Sequence, residues 1–122
     1  VIVSSILARL GVPGYTAYCA SKAGLLGLMR SWAQTFAGEQ ILVNAICPGW
    51  VNTAMSREGI EAFATNTGKS YDEAQEEQMG SVPLGKMSEP AEVAALVSFL
   101  VSDDQCSFTG QTLDFNNGAL MP

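Results

Sequence analysis

The most constraining feature of the sequence is a short, almost wholly apolar run at residues 41–47 (ILVNAIC), which Pro48 and Gly49 close. A run of this length and composition is typical of a strand that is buried on both faces, as in a parallel sheet. A second β-branched run opens the chain at residues 1–3 (VIV), and a helical pattern lies between the two. Strand, helix and buried strand in this order predict a right-handed βαβ unit, so the fold class is α/β.

The other elements follow from periodicity and from the signals that start and end helices. The helix after the first strand is predicted over residues 17–37, with Thr16 as its N-cap and Gly38 as the residue that closes it. The remaining elements are three helices and a final strand, at residues 57–64, 71–78, 90–101 and 111–115. Ser88 is the candidate cap of the last helix. The long segment 52–87 is expected to act as a lid or binding loop.

The helix predicted over residues 17–37 carries two stripes at helical spacing. The stripe expected to point into the domain consists of Tyr18, Lys22, Leu25 or Leu26, Met29, Ala33 and Phe36. The opposite stripe, called here the small-residue strip, consists of Ala20, Gly24, Gly27 and Ser31. Small residues let another helix approach closely, either across a subunit contact or from elsewhere in the same chain. The first interpretation predicts a homodimer or a homotetramer.

Composition and charge exclude several classes of function. The 122 residues contain no histidine, which excludes Ser-His and Cys-His nucleophiles and leaves acid–base chemistry to Tyr, Lys, Asp or Glu. The three cysteines are widely spaced, so we expect reduced, buried thiols in a cytoplasmic protein, without a disulfide framework or a metal site. The formal net charge is −6 and no apolar run reaches membrane length, so neither nucleic acid nor a membrane is expected as a partner.

Tyr18 and Lys22 are the pair whose spacing suggests chemistry. Four residues apart on a helix, they lie on one face, one turn apart. An ammonium group close to a phenol favours the phenolate, and a nearby serine hydroxyl can hydrogen-bond a substrate oxygen. Ser4 and Ser5 lie upstream of a loop whose glycine and proline residues allow it to fold back. This spacing is common by chance. Taken alone, it is explained better by a packed tyrosine beside a surface lysine than by an acid–base pair.

The context of this pair resembles the short-chain dehydrogenase/reductase family. Ser5, thirteen residues before Tyr18, and the run YCASKAG at residues 18–24 look like that family's catalytic segment. The other resembling segments follow in the family's order: VNAICPGWVNT at 43–53, PLGKM at 83–87, EPAEVA at 89–94 and TGQ at 109–111. The resemblance covers essentially the whole chain and implies the C-terminal half of a Rossmann-type, doubly wound parallel sheet.

The resemblance also implies a reaction and a set of roles. A hydride would pass between NAD or NADP and a small-molecule ketone or secondary alcohol, with 3-oxoacyl compounds among the candidates. Tyr18 would be the general acid/base, Lys22 would bind the cofactor ribose, and Ser5 would orient the substrate oxygen, with Ser4 as the second choice. The cofactor-binding residues would be Tyr18, Lys22, Pro48, Gly49, Val51 and Thr53.

One residue of this set, and a separate group of apolar residues, carry further interpretations. Thr53 would also serve as the N-cap of the helix that follows it. A group of apolar residues in the lid segment would either line a substrate pocket or pack the lid against the core. This group consists of Trp50, Met55, Phe63 and Met79.

Two departures from the family pattern set limits on these roles. The strand, glycine-rich turn and helix that bind the dinucleotide in the family are not in the sequence, which opens without Met inside a predicted strand. We therefore expect residues 1–122 to be the C-terminal catalytic half of one NAD(P)-binding Rossmann-type domain. Asn116-Asn117-Gly118 also stands where Asp-Gly-Gly is usual.

The alternative to an enzyme follows from the first departure. The chain would then be an inactive, proteolysed remnant that acts only as a structural or oligomerising module. A source polypeptide with about twice the 12.9 kDa mass of this chain would indicate truncation.

Overall fold

The computed structural model describes residues 1–121 and shows an α/β fold, as predicted. The sheet is formed by β1 (Ile2–Val3), β2 (Ala45–Pro48) and β3 (Thr112–Phe115). The helices are α1 (Thr16–Phe36), α2 (Ala54–Thr67), α3 (Tyr71–Gly80) and α4 (Pro90–Leu100). Single 3₁₀ turns follow β1 at Ile6–Ala8 and α1 at Ala37–Glu39. Within residues 1–121 no helix has both the length and the apolarity that a membrane crossing requires.

The strands are parallel and lie in the order β1-β2-β3. The register aligns Val3 with Ile46 and Ile46 with Leu113, so β2 is the central strand. All of its residues are buried, as its apolar sequence predicted. Neighbouring parallel strands require a crossover connection, and α1 supplies it between β1 and β2. The parallel sheet predicted from the apolar runs is therefore confirmed.

The central strand is shorter than the predicted run of residues 41–47. Ile41 is 47% exposed, and regular pairing begins only at Ala45. Before that point the backbone bonds to the loop ahead of β3, where the Val43 N–H donates to Thr109 Oγ1 at 3.1 Å. A side-chain acceptor thus replaces the strand ladder, and hydropathy alone could not have indicated this.

Helix α1 packs on the sheet, and the main core lies between them. The buried cluster consists of Leu26, Met29, Ala33, Val43, Ala45 and Cys47. Met29 is fully buried at its centre. The predicted inward stripe is confirmed over the middle of the helix. At the first turn, Tyr18 is 37% exposed, so its phenol lies outside the core.

Helix α1 lies within one residue of its predicted range, but both predicted capping residues are wrong. Tyr15 occupies the N-cap position without a side-chain cap, and Thr16 is the first helical residue. At the other end Gly38 lies inside the 3₁₀ turn, and the residue in the left-handed region is Gln40, with a φ of 59°. A tightened last turn already satisfies carbonyl groups at a helix end, so the helix can end here without a closing glycine.

Helices α2 and α3 lie in the segment predicted to act as a lid or binding loop, and they pack on each other around a small core of their own. Its buried residues are Ile60, Ala64 and Ala74, and the partly buried residues around them are Trp50, Phe63, Tyr71 and Met87. Helix α2 is longer than the predicted 57–64 because Thr53 caps its start and Gly68, with a φ of 68°, ends it. Trp50 and Phe63 therefore pack the lid, whereas Met55 is 72% exposed.

The acidic helix α3 begins with a capping box, which was not predicted from the sequence. Ser70 Oγ accepts the Glu73 N–H at 3.3 Å, and the Glu73 carboxylate accepts the Ser70 N–H at 2.8 Å. The bond from the Ser70 backbone holds the pKa of Glu73 below its usual range. This reciprocal pair satisfies two helix-end donors and fixes where the lid turns from α2 into α3.

Helix α4 begins where predicted, but Ser88 is not its cap. Glu89 occupies the N-cap position, and its backbone N–H donates to the Glu92 carboxylate at 2.6 Å. This bond holds the pKa of Glu92 below its usual range. Ser88 is buried instead, and its backbone bonds to Trp50 O and to the Asn52 N–H, both at 2.9 Å. A local start signal could not have indicated this pairing with a distant segment.

The small-residue strip of α1 is open. A Cβ atom added to Gly24 or Gly27 would meet no atom within 4 Å. In the part of the chain that the structure describes, no other helix lies on these two positions, so packing beneath a neighbouring helix is not supported there. The subunit contact through this strip stays a prediction.

We expect Met29→Ala to lower the free energy of unfolding by about 2–5 kcal/mol, because the truncation leaves a cavity at a fully buried site. Met55→Ala is the matched control, since it removes the same atoms at a position that is 72% exposed. Its expected effect is within about 0.5 kcal/mol. Urea unfolding of the two variants measures the difference, and equal losses would contradict a core between α1 and the sheet.

Candidate active site

The residues predicted to carry chemistry gather at one edge of the sheet. Because the three strands are parallel, their carboxyl ends lie on the same side. There β1 leads into Ser4 and Ser5, and β2 ends at Pro48, followed by Gly49. Open α/β sheets bind ligands outside the carboxyl ends of their strands. This edge is therefore where a ligand site is expected.

Lys22 is fixed between the end of β1 and the ring of Tyr18. Its Nζ donates to Val3 O at 3.3 Å and lies 5.6 Å from the centre of the Tyr18 ring. The Lys22 carbonyl accepts a hydrogen bond from Ser4 Oγ at 2.8 Å. Tyr18 and Lys22 therefore share one face, as their spacing predicted. Both the backbone and the side chain of Lys22 are tied to the segment around the end of β1.

The hydroxyls of Ser4 and Ser5 are engaged differently. Ser5 Oγ accepts the Leu7 N–H at 3.1 Å, which makes Ser5 the N-cap of the 3₁₀ turn at Ile6–Ala8. Ser4 Oγ instead donates its proton to the Lys22 carbonyl. A hydroxyl has one proton to donate and two lone pairs that can accept. Capping by Ser5 therefore leaves its proton available to a ligand oxygen, whereas Ser4 has already used its proton.

The turn at Pro48 and Gly49 packs directly against the end of β3. The Gly49 N–H donates to Phe115 O at 2.9 Å. A Cβ atom added to Gly49 would lie 3.0 Å from Asn116 Cβ and 3.1 Å from Asn116 Cα. Both atoms are fixed by the backbone, so a side chain at this position would push the two segments apart. Glycine is needed here for close approach.

Val51 and Thr53 lie in the short connection between β2 and α2. Val51 forms an isolated parallel bridge with Ser88, and its carbonyl accepts a hydrogen bond from Ser56 Oγ. Thr53 is the N-cap of α2, and its Oγ1 accepts the Ser56 N–H at 3.4 Å. The capping role predicted for Thr53 is confirmed. Within residues 1–121 no hydrogen bond joins Thr53 to Lys22.

Comparison with known proteins decides the family. A family model described as enoyl-(acyl carrier protein) reductase matches residues 1–119. The chain belongs to the short-chain dehydrogenase/reductase family. A 3-oxoacyl-[acyl-carrier-protein] reductase, FabG, from Thermotoga maritima is 38% identical over 119 residues, which are 98% of this chain. The crystal structure of a short chain dehydrogenase family protein from Francisella tularensis superposes with a TM-score of 0.91 at 37% identity over 97% of this chain.

The chain spans about half the length of these short-chain dehydrogenase/reductase relatives. It covers 44% of the Thermotoga protein and 50% of the Francisella chain. A variant of the actinorhodin polyketide ketoreductase, crystallised with NADPH, gives a TM-score of 0.90 at 32% identity over 96% of this chain and 45% of that one. The family uses NAD or NADP, in agreement with the predicted cofactor. The reaction of the whole protein is a proposal, because half of each relative lies outside the match.

The closing turn, where the chain departs from the usual pattern of the short-chain dehydrogenase/reductase family, is held by the departing residue. Asn117 has a φ of 53°, in the left-handed region that favours glycine. Asparagine tolerates this region, and the Asn117 amide donates to Lys86 O at 3.0 Å and to Ser88 Oγ at 3.1 Å. Glycine could make neither bond. This connection between the closing turn and residues 86–88 was not predicted from the sequence.

None of the cysteines forms a disulfide within residues 1–121. Cys47 is buried, and burial raises the pKa of its thiol, an effect that the Ser4 hydroxyl opposes. Cys47 is therefore a protonated packing residue near neutral pH. Cys106, in contrast, is exposed, so the predicted burial is wrong there. Among residues 1–121 no group of three metal-ligating side chains comes together.

An ion pair beside the site was also missed by the sequence analysis. Arg9 Nη1 lies 2.6 Å from Asp114 Oδ2, although the two residues are 105 positions apart in the sequence. No local sequence motif predicts an ion pair between residues this far apart. It follows only from the strand order, which brings β3 beside β2 and thus close to the segment after β1.

We expect Gly49→Ala to lower the free energy of unfolding by about 1–3 kcal/mol, because the new methyl group meets the backbone of Asn116. Gly59→Ala is the matched control. Its added Cβ would have its nearest contact with Trp50, at 3.9 Å, in the middle of α2. Alanine favours a helix over glycine by up to about 1 kcal/mol, so this variant should be neutral or more stable. Urea unfolding distinguishes them, and equal effects would contradict the close contact at Gly49.

Proposed function

We propose that the protein carrying this chain is an NAD(P)-dependent oxidoreductase that interconverts a ketone and a secondary alcohol. The observation that carries the proposal is the arrangement of Tyr18, Lys22 and Ser5 at the carboxyl end of β1. The lysine is held by Val3 and lies beside the tyrosine ring, while the serine retains a proton to donate. Family membership supports the same reaction, since its members are oxidoreductases of this kind.

The three side chains divide the acid–base work between them. In reduction, the carbonyl oxygen gains negative charge as a hydride reaches the carbonyl carbon. Tyr18 donates its phenolic proton to that oxygen, and the Ser5 hydroxyl donates a hydrogen bond to it. Lys22 stabilises the phenolate that Tyr18 becomes. In oxidation, the alcohol proton returns to Tyr18 and the hydride leaves the carbon.

The residues around Lys22 fit a nicotinamide nucleotide. An ammonium group has three protons to donate, and Val3 O accepts one of them. The other two suit the neighbouring hydroxyls of a ribose. The wall beside the nicotinamide would consist of Pro48, Gly49, Val51 and Thr53, which follow the adjacent strand β2. When bound, the nicotinamide supplies or accepts the hydride.

The serine assignment rests on what each hydroxyl already does. The sequence alone left Ser4 as a second choice for orienting the substrate oxygen. Ser4 Oγ donates to the Lys22 carbonyl, so it supports the position of the lysine, whereas the cap formed by Ser5 uses only a lone pair. This difference favours Ser5 as the residue that contacts the substrate.

The names of two relatives favour a 3-oxoacyl substrate. One is a 3-oxoacyl-[acyl-carrier-protein] reductase and the other a polyketide ketoreductase. Both names describe reduction of a keto group. We extend this substrate class to the present protein, with the lid formed by α2 and α3 as the element that would border the substrate.

The assembly and location of the protein stay predictions. Gly24 and Gly27 leave the small-residue strip open, which favours a homodimer or a homotetramer over a monomer. The alternative of an inactive, proteolysed remnant is separated from the enzyme by the intact mass of the natural polypeptide and by its turnover.

We expect Tyr18→Phe, made in the intact natural polypeptide, to lower kcat by about 10²–10⁴-fold while the Kd for NADPH stays unchanged, because only the proton donor is lost. Tyr15→Phe is the matched control. Tyr15 lies three residues earlier, just before α1, and has no role in the proposed mechanism, so Tyr15→Phe should keep full turnover. Steady-state oxidation of NADPH with a 3-oxoacyl thioester measures kcat. Full turnover by Tyr18→Phe would remove this tyrosine from the mechanism.

We expect Lys22→Met to raise the Kd for NADPH roughly tenfold and to lower kcat as well, because a charged hydrogen bond to the ribose and the charge beside Tyr18 are both lost. Methionine keeps the apolar part of the side chain, so packing changes little. Lys86→Met is the control, since Lys86 pairs with Glu92 at the start of α4. Fluorescence titration with NADPH measures the Kd. An unchanged Kd for Lys22→Met would argue against the ribose contact.

A further inference from the structure

We propose that the ion pair between Arg9 and Asp114 is a positioning device for Ser5. It fixes the 3₁₀ turn at Ile6–Ala8 against β3 and thereby holds the Ser5 hydroxyl at the substrate oxygen. The inference rests on the proposed function, because it takes Ser5 as the residue that contacts the substrate. Arg9 and Asp114 are positioning residues here and touch neither substrate nor cofactor.

The local structure makes Ser5 and Arg9 the two ends of one small unit. Ser5 is the N-cap of the 3₁₀ turn, with Oγ accepting the Leu7 N–H at 3.1 Å. Arg9 is the C-cap, and its backbone N–H donates to Ile6 O at 2.9 Å. A single turn has few hydrogen bonds of its own, and short 3₁₀ segments have poor hydrogen-bond geometry. Its orientation must therefore be set by what holds its two ends.

The sheet holds the first end of this turn. The Ser4 N–H donates to Ile46 O at 2.9 Å, which continues the ladder between β1 and β2. Ser4 Oγ also donates to the Lys22 carbonyl at 2.8 Å. The chain is thus fixed up to the residue before Ser5, and Ser5 itself begins the turn.

The ion pair holds the second end. Arg9 Nη1 lies 2.6 Å from Asp114 Oδ2, and the side chains are only 28% and 16% exposed. Asp114 is the register partner of Cys47, and Cys47 follows Ile46, to which Ser4 is bonded. The two ends of the turn are therefore attached to neighbouring positions of the sheet, through the bond from Ser4 to Ile46 and the ion pair from Arg9 to Asp114. Ser5 lies between them.

The second oxygen of Asp114 makes the pair hard to replace. Asp114 Oδ1 is buried, and no donor within residues 1–121 bonds to it. Among residues 1–121, the charged group that pairs with the Asp114 carboxylate is Arg9. A partly buried carboxylate with one buried, unbonded oxygen is unfavourable when it loses its charged partner, so removing Arg9 should move β3, the turn or both. A fully exposed ion pair would be lost with little effect.

The test is a double-mutant cycle in the intact natural polypeptide, with Arg9→Gln and Ser5→Ala made singly and together. We expect Arg9→Gln to lower kcat roughly tenfold through misplacement of Ser5 and to leave the Kd for NADPH within about twofold. In the Ser5→Ala background, Arg9→Gln should cause no further loss, because the residue it positions is gone. A loss by the same factor in both backgrounds, or no loss in either, would overturn the proposal.

Companion variants cover the case in which Arg9→Gln fails to fold. Asp114→Asn removes the buried charge together with the pair, so it should fold and show the same kcat loss. Arg9→Lys keeps a positive charge at this position and should recover most of the turnover. Lys86→Gln breaks the exposed pair with Glu92, which lies at the start of α4, and should leave kcat unchanged. A normal kcat for Asp114→Asn would also count against the proposal.

A readout without turnover separates this inference from the proposed function. Hydrogen exchange of the Leu7 and Arg9 amides, both bonded within the turn, should become faster in Asp114→Asn, while exchange of the Ile46 amide in β2 should not. Unchanged exchange would overturn the positioning role even if the protein proves to be an enzyme. Full turnover by Ser5→Ala, with faster exchange in Asp114→Asn, would instead refute the role of Ser5 in the proposed function.

Discussion

Parallel pairing of three short strands is the constraint on which the rest of the structure depends. It places the carboxyl ends of β1, β2 and β3 at one edge, so that segments far apart in the sequence meet there. Ser5 follows the first strand, Gly49 the second and Asn116 the third. The crossover helix α1 returns from this edge, and its first turn carries Tyr18 and Lys22. Strand order therefore brings four separate segments of the chain together at this edge.

The sequence predicted those features that leave a periodic or local trace. The apolar run at residues 41–47 predicted a buried central strand, and the inward stripe of α1 predicted the face on which Met29 is buried. The ends of the helices and strands were predicted poorly, because contacts with residues far away in the sequence determine where they begin and end. Ile41 lies outside the strand since Val43 bonds to a threonine near β3, and no property of residues 41–47 indicates that contact.

The same division applies to the candidate site. Tyr18 and Lys22 were found from spacing and motif, because a helix brings residues four apart together. Ser4 and Ser5 are chemically identical, and the sequence could rank them only by their distance from the tyrosine. Their hydrogen bonds separate them: one hydroxyl holds the Lys22 carbonyl, and the other caps a 3₁₀ turn. Which proton is left for a ligand depends on the fold and could not be read from residue type.

The last strand shows why the remaining features escaped prediction. Phe115 O accepts the Gly49 N–H, Asp114 holds Arg9, and Asn117, in the turn that follows, bonds to Ser88. β3 and the turn after it therefore brace the 3₁₀ turn at Ile6–Ala8, the turn at Pro48 and Gly49 and the loop before α4 at once. Each bond joins residues that are dozens of positions apart, and each partner taken alone is an ordinary polar residue. Because these contacts all depend on β3 and the turn after it, a change in this strand should affect both the segment after β1 and the turn after β2. β3 itself supplies none of the proposed catalytic groups.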